Sequence, residues 1–442
     1  MSFIVDKQSL DDLNILGKHK PGTIHYLFNK VKTTGGERLL EQMFLQPLTD
    51  AGMINARSTA FLYFQNKQLQ FPFSDKQFSM AEQYLEMGAY NSYLTAAMGI
   101  YRKKVWHRLF HDEQYHLLQK GVTKTIAILN HLYGFIDKLF IMEGYCPEVI
   151  NTITTILNDS RLRAVSNSMD DDHLSLKKLI KYDHLFRTVL RVQMKSLLDC
   201  IYLLDVCIAV SQVAGEKGLS YAYALQGDKV TISSTALWHP CLENAVRNRI
   251  TLEQDHNVLF LTGANMAGKS TFMKSFGIAV YLAHMGFPVA AENMLFSIRD
   301  GIYSSINVPD NLELGYSHFY AEVLRVKTVA IEVSQRKNLV VIFDELFKGT
   351  NVKDAYDATL AVTAAFARFN NCFFVVSTHI VEVGEALRTQ HPNMQFSYLP
   401  TEMKGTTTHY TYKLKEGISS DRHGMMIIQN EQIIEIIKES KS

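Results

Sequence analysis

The stretch VLFLTGANMAGKSTF, residues 258–272, decides how the second half of this chain folds. Its first five residues, Val258–Thr262, are almost entirely apolar and predict a buried β-strand. The next eight, Gly263–Ser270, match the spacing G-x-x-x-x-G-K-[ST], and a helical run follows them. Because glycines let the loop wrap closely, backbone N–H groups and the helix N-terminus can face phosphate oxygens. The stretch therefore predicts a nucleotide-binding loop.

Individual side chains of this loop have predicted tasks. Lys269 would neutralise charge on the β- and γ-phosphates, and Ser270 would offer its hydroxyl to Mg²⁺, a hard ion that prefers oxygen ligands. Thr271 would add a further phosphate contact. The residues predicted to bind the nucleotide are Gly263, Ala264, Asn265, Met266, Ala267, Gly268, Lys269, Ser270 and Thr271. The predicted cofactors are therefore ATP and Mg²⁺.

Two later strands end in polar residues that suit a nucleotide site. Asp344 and Glu345 follow the predicted strand Leu339–Phe343; Asp344 would hold Mg²⁺, and Glu345 would orient or deprotonate the attacking water. His379 comes shortly after the predicted strand Cys372–Ser377 and would sense the γ-phosphate. Taken alone, such residues are more often a solvated turn or a structural histidine. The upstream loop favours the catalytic interpretation for both Glu345 and His379, together with the loop lysine.

The first half of the chain carries a helical pattern. Residues 151–214 contain neither Gly nor Pro. Apolar residues recur there in steps of four, three and four, at Leu197, Ile201, Leu204 and Ile208. This spacing predicts a helix that buries one face, in either an extended lever or a compact bundle. The predicted fold class is α+β, with a mostly helical domain over residues 1–225 and an α/β domain over residues 226–442.

Composition limits the classes of protein that this chain can represent. It has 442 residues, 47% of them hydrophobic and 20% charged, as in a soluble protein with more than one domain. A formal net charge of +1 excludes a strongly basic, whole-surface nucleic-acid binder. The five cysteines form no C-x-x-C pair, no secretory signal begins the chain, and Asp205 interrupts its most apolar helix. These features favour the cytoplasm.

In this order, the motifs resemble the ATPase domain of the MutS family, within the ABC-type P-loop ATPases. The loop is similar to the family's TGPNMGGKST segment, with Ala264 in place of the usual Pro and Ala267 in place of a usual Gly. DELFKGTN, which begins at Asp344, is similar to the DE-x-x-x-GT stretch, and the STH that ends at His379 is retained. WHPCLE, residues 238–243, matches the HP-x-x-E element.

The resemblance implies a dimer, expected to be a homodimer, whose subunits complete each other's ATP sites. SHFYAE, residues 317–322, resembles the family signature S-T-F-x-x-E, with His318 in place of Thr. Ser317 of one subunit would then approach the γ-phosphate held by the other and act in catalysis; on sequence alone it is a helix cap. Asp354 would lie at the subunit interface, and Ile250 would pack near the adenine.

A thinner resemblance covers the N-terminal half. HYLF, residues 25–28, and TTGGERLL, residues 33–40, resemble the start of the MutS core and lever region, and residues 204–206 fit the returning lever. Full-length relatives begin with a mismatch-recognition domain and a connector domain, whereas this pattern starts near residue 14. We therefore expect a short family member that lacks both domains and has a reduced clamp.

Two groups of cations are candidates for contact with double-stranded DNA. They are Arg102, Lys103, Lys104 and Arg108, with Tyr101 and Trp106 between them, and Lys177, Lys178 and Lys181. A solvated helix face is the alternative. The leading hypothesis is an ATP hydrolase that opens and closes a clamp on DNA in mismatch repair or related repair and recombination, with other repair proteins as partners. The alternatives are an ATPase for branched DNA or a nucleoprotein machine, and a noncatalytic scaffold that binds ATP to dimerise.

Overall fold

A computed structural model of the chain describes residues 2–111, 113–140, 148–166, 174–227, 229–306, 318–404, 407–419 and 436. The chain forms two compact units that alternate along the sequence. The sheet unit takes Met1–Leu27, Met43–Thr59 and Ala214–Ser442, and the helical unit takes Phe28–Gln42 and Ala60–Val213. These compact units are interleaved along the chain. The division into sequential domains of 1–225 and 226–442 stays a prediction.

Most residues before position 218 lie in helices. The α-helices up to this point are α1 (Lys7–Asp12), α2 (Ile24–Phe28), α3 (Thr34–Leu45), α4 (Ala51–Lys67), α5 (Asp75–Glu86), α6 (Tyr93–Phe110), α7 (Gln114–Phe140), α8 (Glu148–Leu157), α9 (Ser160–Ser166), α10 (Leu176–His184) and α11 (Arg191–Lys217). A π-helical turn, Leu185–Val189, follows α10. The predicted helical region is confirmed.

Apart from one short strand near the N-terminus, the strands that the structure describes come after this point, together with further helices. The further helices are α12 (Lys269–His284), α13 (His318–Ser334), α14 (Val352–Phe366) and α15 (Val381–Gln390). The strands are β1 (Ile4–Val5), β2 (Ser220–Tyr221), β3 (Tyr223–Leu225), β4 (Thr231–Leu237), β5 (Asn248–Glu253), β6 (Val258–Thr262), β7 (Pro288–Val289), β8 (Ala291–Glu292), β9 (Leu295–Ser297), β10 (Gly301–Ser305), β11 (Leu339–Phe343), β12 (Phe373–Ser377), β13 (Gln395–Tyr398), β14 (Thr401–Lys404), β15 (Thr407–Tyr410) and β16 (Lys415–Glu416).

A seven-stranded sheet forms the centre of the sheet unit. Its order is β1-β10-β11-β12-β6-β13-β16, and every pair is parallel except β13 with β16. Every residue of β6, β10, β11 and β12 is buried, as expected of parallel strands covered on both faces. The carboxyl ends of β11, β12 and β6 therefore lie side by side, and they carry the predicted site residues.

Helix α11 confirms the helical pattern of the first half. All four residues that predicted it, Leu197, Ile201, Leu204 and Ile208, are buried. By length and composition α11 could cross a membrane, yet 78% of its most apolar window is buried inside the protein, as in the core helix of a folded domain. Asp205 is also buried on this helix, where its carboxylate accepts hydrogen bonds from the N–H groups of Lys32 and Thr33 and from the Thr33 hydroxyl, at 2.7–3.0 Å. This charge is thus satisfied within the helical unit.

Candidate active site

The glycine loop, Gly263–Ser270, joins β6 to α12 and takes a backbone shape that its glycines permit. Gly263 has φ of +138° and Gly268 has φ of +101°, a region that side chains rarely adopt. A Cβ on Gly268 would lie 3.0 Å from the ring of Tyr412. Gly268 immediately precedes the first residue of α12, so the free N–H groups of this helix start at the loop. The loop can therefore cradle an anion.

Lys269 is held inside this loop. Its Nζ donates to the carbonyl oxygens of Gly263, at 2.8 Å, and of Ala264, at 3.2 Å. The side chain is buried, and burial lowers the pKa of Lys269, while the carboxylates of Asp344 and Glu345 oppose that shift. The ammonium group thus occupies the curve of the loop, with carboxylates nearby.

Asp344 connects three strand ends. Its Oδ2 accepts a hydrogen bond from the hydroxyl of Ser270, at 2.5 Å, and its Oδ1 accepts one from the hydroxyl of Ser377. Its backbone N–H donates to the carbonyl of Ser305 at the end of β10, at 2.9 Å. A hydroxyl and a carboxylate therefore meet at one point, which is a pair of hard oxygen donors.

Glu345 is fixed by its backbone and by two basic side chains. Its φ of +52° lies in the left-handed region, and its N–H donates to the carbonyl of Ser377 at 3.0 Å. One carboxylate oxygen contacts Nε2 of His379, and the other lies 3.3 Å from Nζ of Lys348. The hydrogen bond with His379 lowers the pKa of Glu345 to about 2, against the opposing effect of burial. Glu345 is therefore a carboxylate at neutral pH.

A second carboxyl supports the segment that follows Glu345. Glu322 on α13 is buried, and the backbone N–H of Phe347 donates to it. Phe347 also has a positive φ, +63°. Burial raises the pKa of Glu322 to about 7, the bond from Phe347 opposes the shift, and the negative charge of Glu345 adds to it. The Oε2 atom of Glu322 has no hydrogen-bond partner among the described residues. Glu322 therefore titrates near neutrality directly behind the site.

A cleft of about 600 Å³ opens beside the glycine loop. Loop residues from Ala264 to Thr271, together with Glu345, form one wall. The cleft is also lined by residues 242–246, Asn248 and Tyr412, and Asn248 donates to the backbone carbonyl of Tyr412 at 2.9 Å. Ile250 is buried in β5 and does not line this cleft, and its contact with the adenine stays a prediction.

The predicted site residues of the sheet unit come together, with one exception that the structure does not describe. The loop residues, Asp344, Glu345 and His379 meet at one edge of the sheet, although three separate sequence segments carry them. Ser317 lies outside the described residues, so its role stays a prediction. Asp354 is exposed in the first turn of α14, where its N–H donates to the side chain of Asn351 at 2.9 Å.

Sequence reasoning missed Tyr412 as a cleft residue. It follows β15 and has φ of +54°, and neither feature belongs to a motif. A tyrosine in a polar, strand-rich segment gives no local signal of its position. Tertiary pairing places this segment: Asn248 donates to the carbonyl of Tyr412 and accepts from the N–H of Leu414.

The predicted DNA contacts lie on two helices of the helical unit. Arg102, Lys103, Lys104 and Arg108 are on α6, and Lys177, Lys178 and Lys181 are on α10. All are exposed except Lys103, which is half-buried. The three lysines of α10 are spaced so that Lys177 and Lys181 share one helix face.

Comparison with known proteins adds a family assignment for the region that holds this site. The model of the family "MutS domain V" matches residues 259–442. The DNA mismatch repair protein MutS of Anaplasma phagocytophilum is 30% identical over 227 residues, which are 51% of this chain and 27% of that relative. The DNA mismatch repair protein msh-2 of Neurospora crassa is 29% identical over 214 residues, 46% of this chain and 22% of the relative.

A third relative extends the match slightly. The MutS protein homolog 4 of Mus musculus is 28% identical over 268 residues, which are 56% of this chain and 27% of the relative. The matched stretches thus span about a quarter of the length of these curated relatives.

Proposed function

Because the chain is a member of the MutS family through residues 259–442, as its motifs predicted, we propose that its sheet unit is an ABC-type P-loop ATPase. In this proposal the cleft beside the glycine loop binds ATP, and the edge of the sheet hydrolyses it. The observation that carries the proposal is the contact between Ser270 at the start of α12 and Asp344 after β11, with Glu345 next in the chain and lining the same cleft. A nucleotide-binding loop alone would support binding only.

The residues at this point fit Mg²⁺. Ser270 Oγ and Asp344 Oδ2 are oxygen donors 2.5 Å apart, and a cation held by both oxygens would replace the hydrogen bond between them, with the serine keeping its proton. When bound, Mg²⁺ would neutralise charge on the phosphate oxygens. Ser377 would hold the other oxygen of Asp344 and so keep this carboxylate aimed at the loop.

Lys269 and Glu345 have complementary tasks in the proposed reaction. Lys269 would exchange its hydrogen bonds with the loop carbonyls for bonds to phosphate oxygens, which favours the charged ammonium. Glu345, ionised at neutral pH, would accept the proton of the attacking water or orient it, and His379 would hold the carboxylate in place. The nucleotide base would contact the apolar wall that includes Leu242, Val246 and Tyr412.

We further propose that hydrolysis requires a dimer. Ser317 of one subunit would reach the γ-phosphate in the other subunit's site, with Asp354 at the interface. Exposed Val352 and Asp354 begin α14 directly after the segment that carries Glu345, so this end of α14 is free to meet another subunit. Homodimerisation would then couple ATP binding to closure.

The proposed target of this cycle is double-stranded DNA, with repair proteins as further partners and the cytoplasm as the compartment. Helices α4 and α11 each contribute residues to both units, so they can act as levers. The α10 lysines, Lys177, Lys178 and Lys181, are the candidates for phosphate contact in this proposal, and DNA contact through the α6 cations is the alternative that the binding survey tests. Nucleotide-driven closure would tighten this grip on DNA.

Replacing Lys269 tests the ATPase proposal. Lys269→Ala should weaken ATP binding and reduce steady-state turnover by about a hundredfold or more, because a phosphate-binding charge is lost. Lys327→Ala, which removes an exposed lysine on α13, is the matched control and should turn over normally. Equal turnover in both variants, measured with Mg²⁺ present, would rule out the proposed site.

A binding survey tests the DNA proposal separately. Replacing the three α10 lysines by alanine should weaken DNA binding and reduce the slope of log affinity against log salt by about 2 to 3. Replacing the four α6 cations separates the two groups. The survey compares mismatched, branched and plain duplexes at one stated salt concentration. Unchanged binding in both multiple variants would remove DNA as the target of these helices.

A further inference from the structure

Helix α6 exposes an unusual amount of apolar surface. Eight of its large hydrophobic side chains are exposed: Tyr93, Leu94, Met98, Tyr101, Val105, Trp106, Leu109 and Phe110. Leu94 and Met98 are 73% and 70% exposed, and Leu109 is 67% exposed. Scattered exposed apolar residues are ordinary, but a contiguous group on one helix marks an interaction surface.

Five of these residues form one stripe along the helix. Leu94, Met98, Tyr101, Val105 and Leu109 follow one another in steps of four, three, four and four residues. At 3.6 residues per turn they fall within an arc of about 80°. The buried residues of α6, Ala96 and Ile100, lie on the opposite side. The stripe therefore faces away from the helical unit's own core, with the spacing of a seam that packs against another helix.

The charges beside the stripe all have one sign. The sequence of α6, YLTAAMGIYRKKVWHRLF, contains no Asp or Glu. Lys104 and Arg108 lie along one side of the stripe, and Arg102 lies along the other. None of these three cations makes an ion pair with a carboxylate in the described part of the chain. A ligand with an apolar seam and negative charges on both sides would cover the stripe and pair with the cations beside it.

We infer that α6 is a docking helix for an acidic amphipathic helix of a partner protein. Such a helix would lay apolar residues against the stripe and place Asp or Glu beside Lys104, Arg108 and Arg102. A second copy of α6 does not fit, because two helices without acidic residues would bring like charges together. DNA would leave the aliphatic side chains of Leu94, Met98 and Leu109 without a partner.

The cation beside the stripe also separates a protein partner from a lipid surface. A helix that lies in a membrane interface buries one continuous, wide apolar face. On α6, Arg102 borders the stripe and divides it from the exposed Trp106 and Phe110, so the stripe is closer to a helix-pairing seam. This inference goes beyond the proposed ATPase, since it concerns another unit and another ligand.

A designed peptide probes this surface in the full-length chain. The probe is a labelled helical peptide of about 28 residues with leucine at the seam positions and glutamate beside them. Its counterpart carries lysine in place of glutamate. Fluorescence anisotropy should show that the glutamate peptide binds at least tenfold more tightly than the lysine peptide. Equal binding by both peptides, or no binding by the glutamate peptide, would overturn the inference.

Paired variants assign the binding to α6. The double variant Met98→Gln with Leu109→Gln should bind the glutamate peptide at least tenfold more weakly than the wild type does. The double variant Lys104→Glu with Arg108→Glu should bind the lysine peptide more tightly than the glutamate peptide. Leu45→Gln with Val192→Gln, which removes two exposed apolar residues elsewhere, is the matched control and should bind normally. ATP turnover should stay unchanged in the two variants that carry glutamine substitutions.

Three further results would contradict a protein partner. They are displacement of the peptide by a short plain DNA duplex, displacement by vesicles of anionic lipid, and a fall in the chain's solution mass on Met98→Gln with Leu109→Gln. These results would assign the face to DNA, to a membrane surface or to a second copy.

Discussion

The carboxyl edge of the sheet and helix α6 both carry side chains that we propose bind a ligand, but they hold these side chains in different ways. At the sheet edge, Ser270, Asp344 and Ser377 are joined by hydrogen bonds, and Glu345 is held by His379. On α6, the side chains of the stripe extend from a single helix face and have no such network. A group that performs chemistry needs a fixed position, whereas a surface that awaits a partner needs to remain open.

Asp344→Asn should show the largest effect and break the sheet-edge network. The amide keeps the shape of the side chain but loses the negative charge. This charge would attract Mg²⁺, and it accepts hydrogen bonds from the hydroxyls of Ser270 and Ser377. Turnover should fall by about a thousandfold, equivalent to about 4 kcal/mol. Phosphate release measures it, with Asp357→Asn on α14 as the control. A variant that keeps a tenth of wild-type turnover would show that Asp344 has no metal-binding role.

Asp205→Ala tests whether the helical unit contains an equally fixed polar site. The carboxylate accepts from two backbone N–H groups and one hydroxyl, and its removal would leave the N–H and the hydroxyl of Thr33 buried without this acceptor. The free energy of unfolding should fall by about 3 kcal/mol. Urea denaturation monitored by circular dichroism measures the loss, and Asp199→Ala on the same helix is the control. A loss below 1 kcal/mol would mean that water replaces these bonds.

Glu322→Gln tests the buried carboxyl behind the sheet edge through its pH dependence. The pKa of Glu322 is raised to about 7 from 4.5, so between these values the unfolded chain is ionised while the folded chain still binds the proton. This group therefore lowers stability as pH rises from 4.5 to 7. The glutamine variant should match wild type at pH 4.5 and exceed it by about 2 kcal/mol at pH 8.

Urea denaturation at both pH values measures the effect of Glu322→Gln. The exposed Glu385 provides the control, since Glu385→Gln should not change the slope of stability against pH. A parallel stability profile for Glu322→Gln and wild type would show that Glu322 is already ionised in the folded chain.

Met98→Gln should change the free energy of unfolding least, because the stripe on α6, unlike the sheet edge and Asp205, is not fixed by contacts within the protein. Its side chain is 70% exposed, so little apolar contact is lost within the unit. The free energy of unfolding should change by less than about 0.5 kcal/mol. Ile100→Gln, two residues along the same helix but buried, should cost several times more. Similar losses for both residues in urea denaturation would mean that the stripe packs against the unit itself.

The sheet edge could be predicted in detail because its signals are local. Strands β6 and β11 have the bounds expected from their apolar runs, and β12 begins one residue later than expected. In a parallel sheet the residue after a buried strand lies at the carboxyl edge, so Asp344 and His379 could be placed near the loop without knowing the fold.

Other parts of the fold depend on long-range pairing and gave no local signal. Residues Ile4–Val5 pair with Gly301–Ile302 at the edge of the sheet, although two residues carry no periodicity. Tyr412 reaches the cleft through Asn248 for the same reason. The stripe of α6 was hidden because its apolar and cationic residues alternate in the sequence, and only the burial of Ala96 and Ile100 shows which face is outward.

Single-turnover phosphate release, with the chain in excess over ATP, tests the central claim most directly. We predict that wild type releases phosphate with Mg²⁺ present, whereas Glu345→Gln binds ATP normally and releases phosphate at least a hundredfold more slowly. Glu385→Gln should behave as wild type. A wild-type chain that binds ATP and releases no phosphate, or a Glu345→Gln variant that releases it at the wild-type rate, would contradict the assignment of Glu345 as the hydrolytic carboxylate.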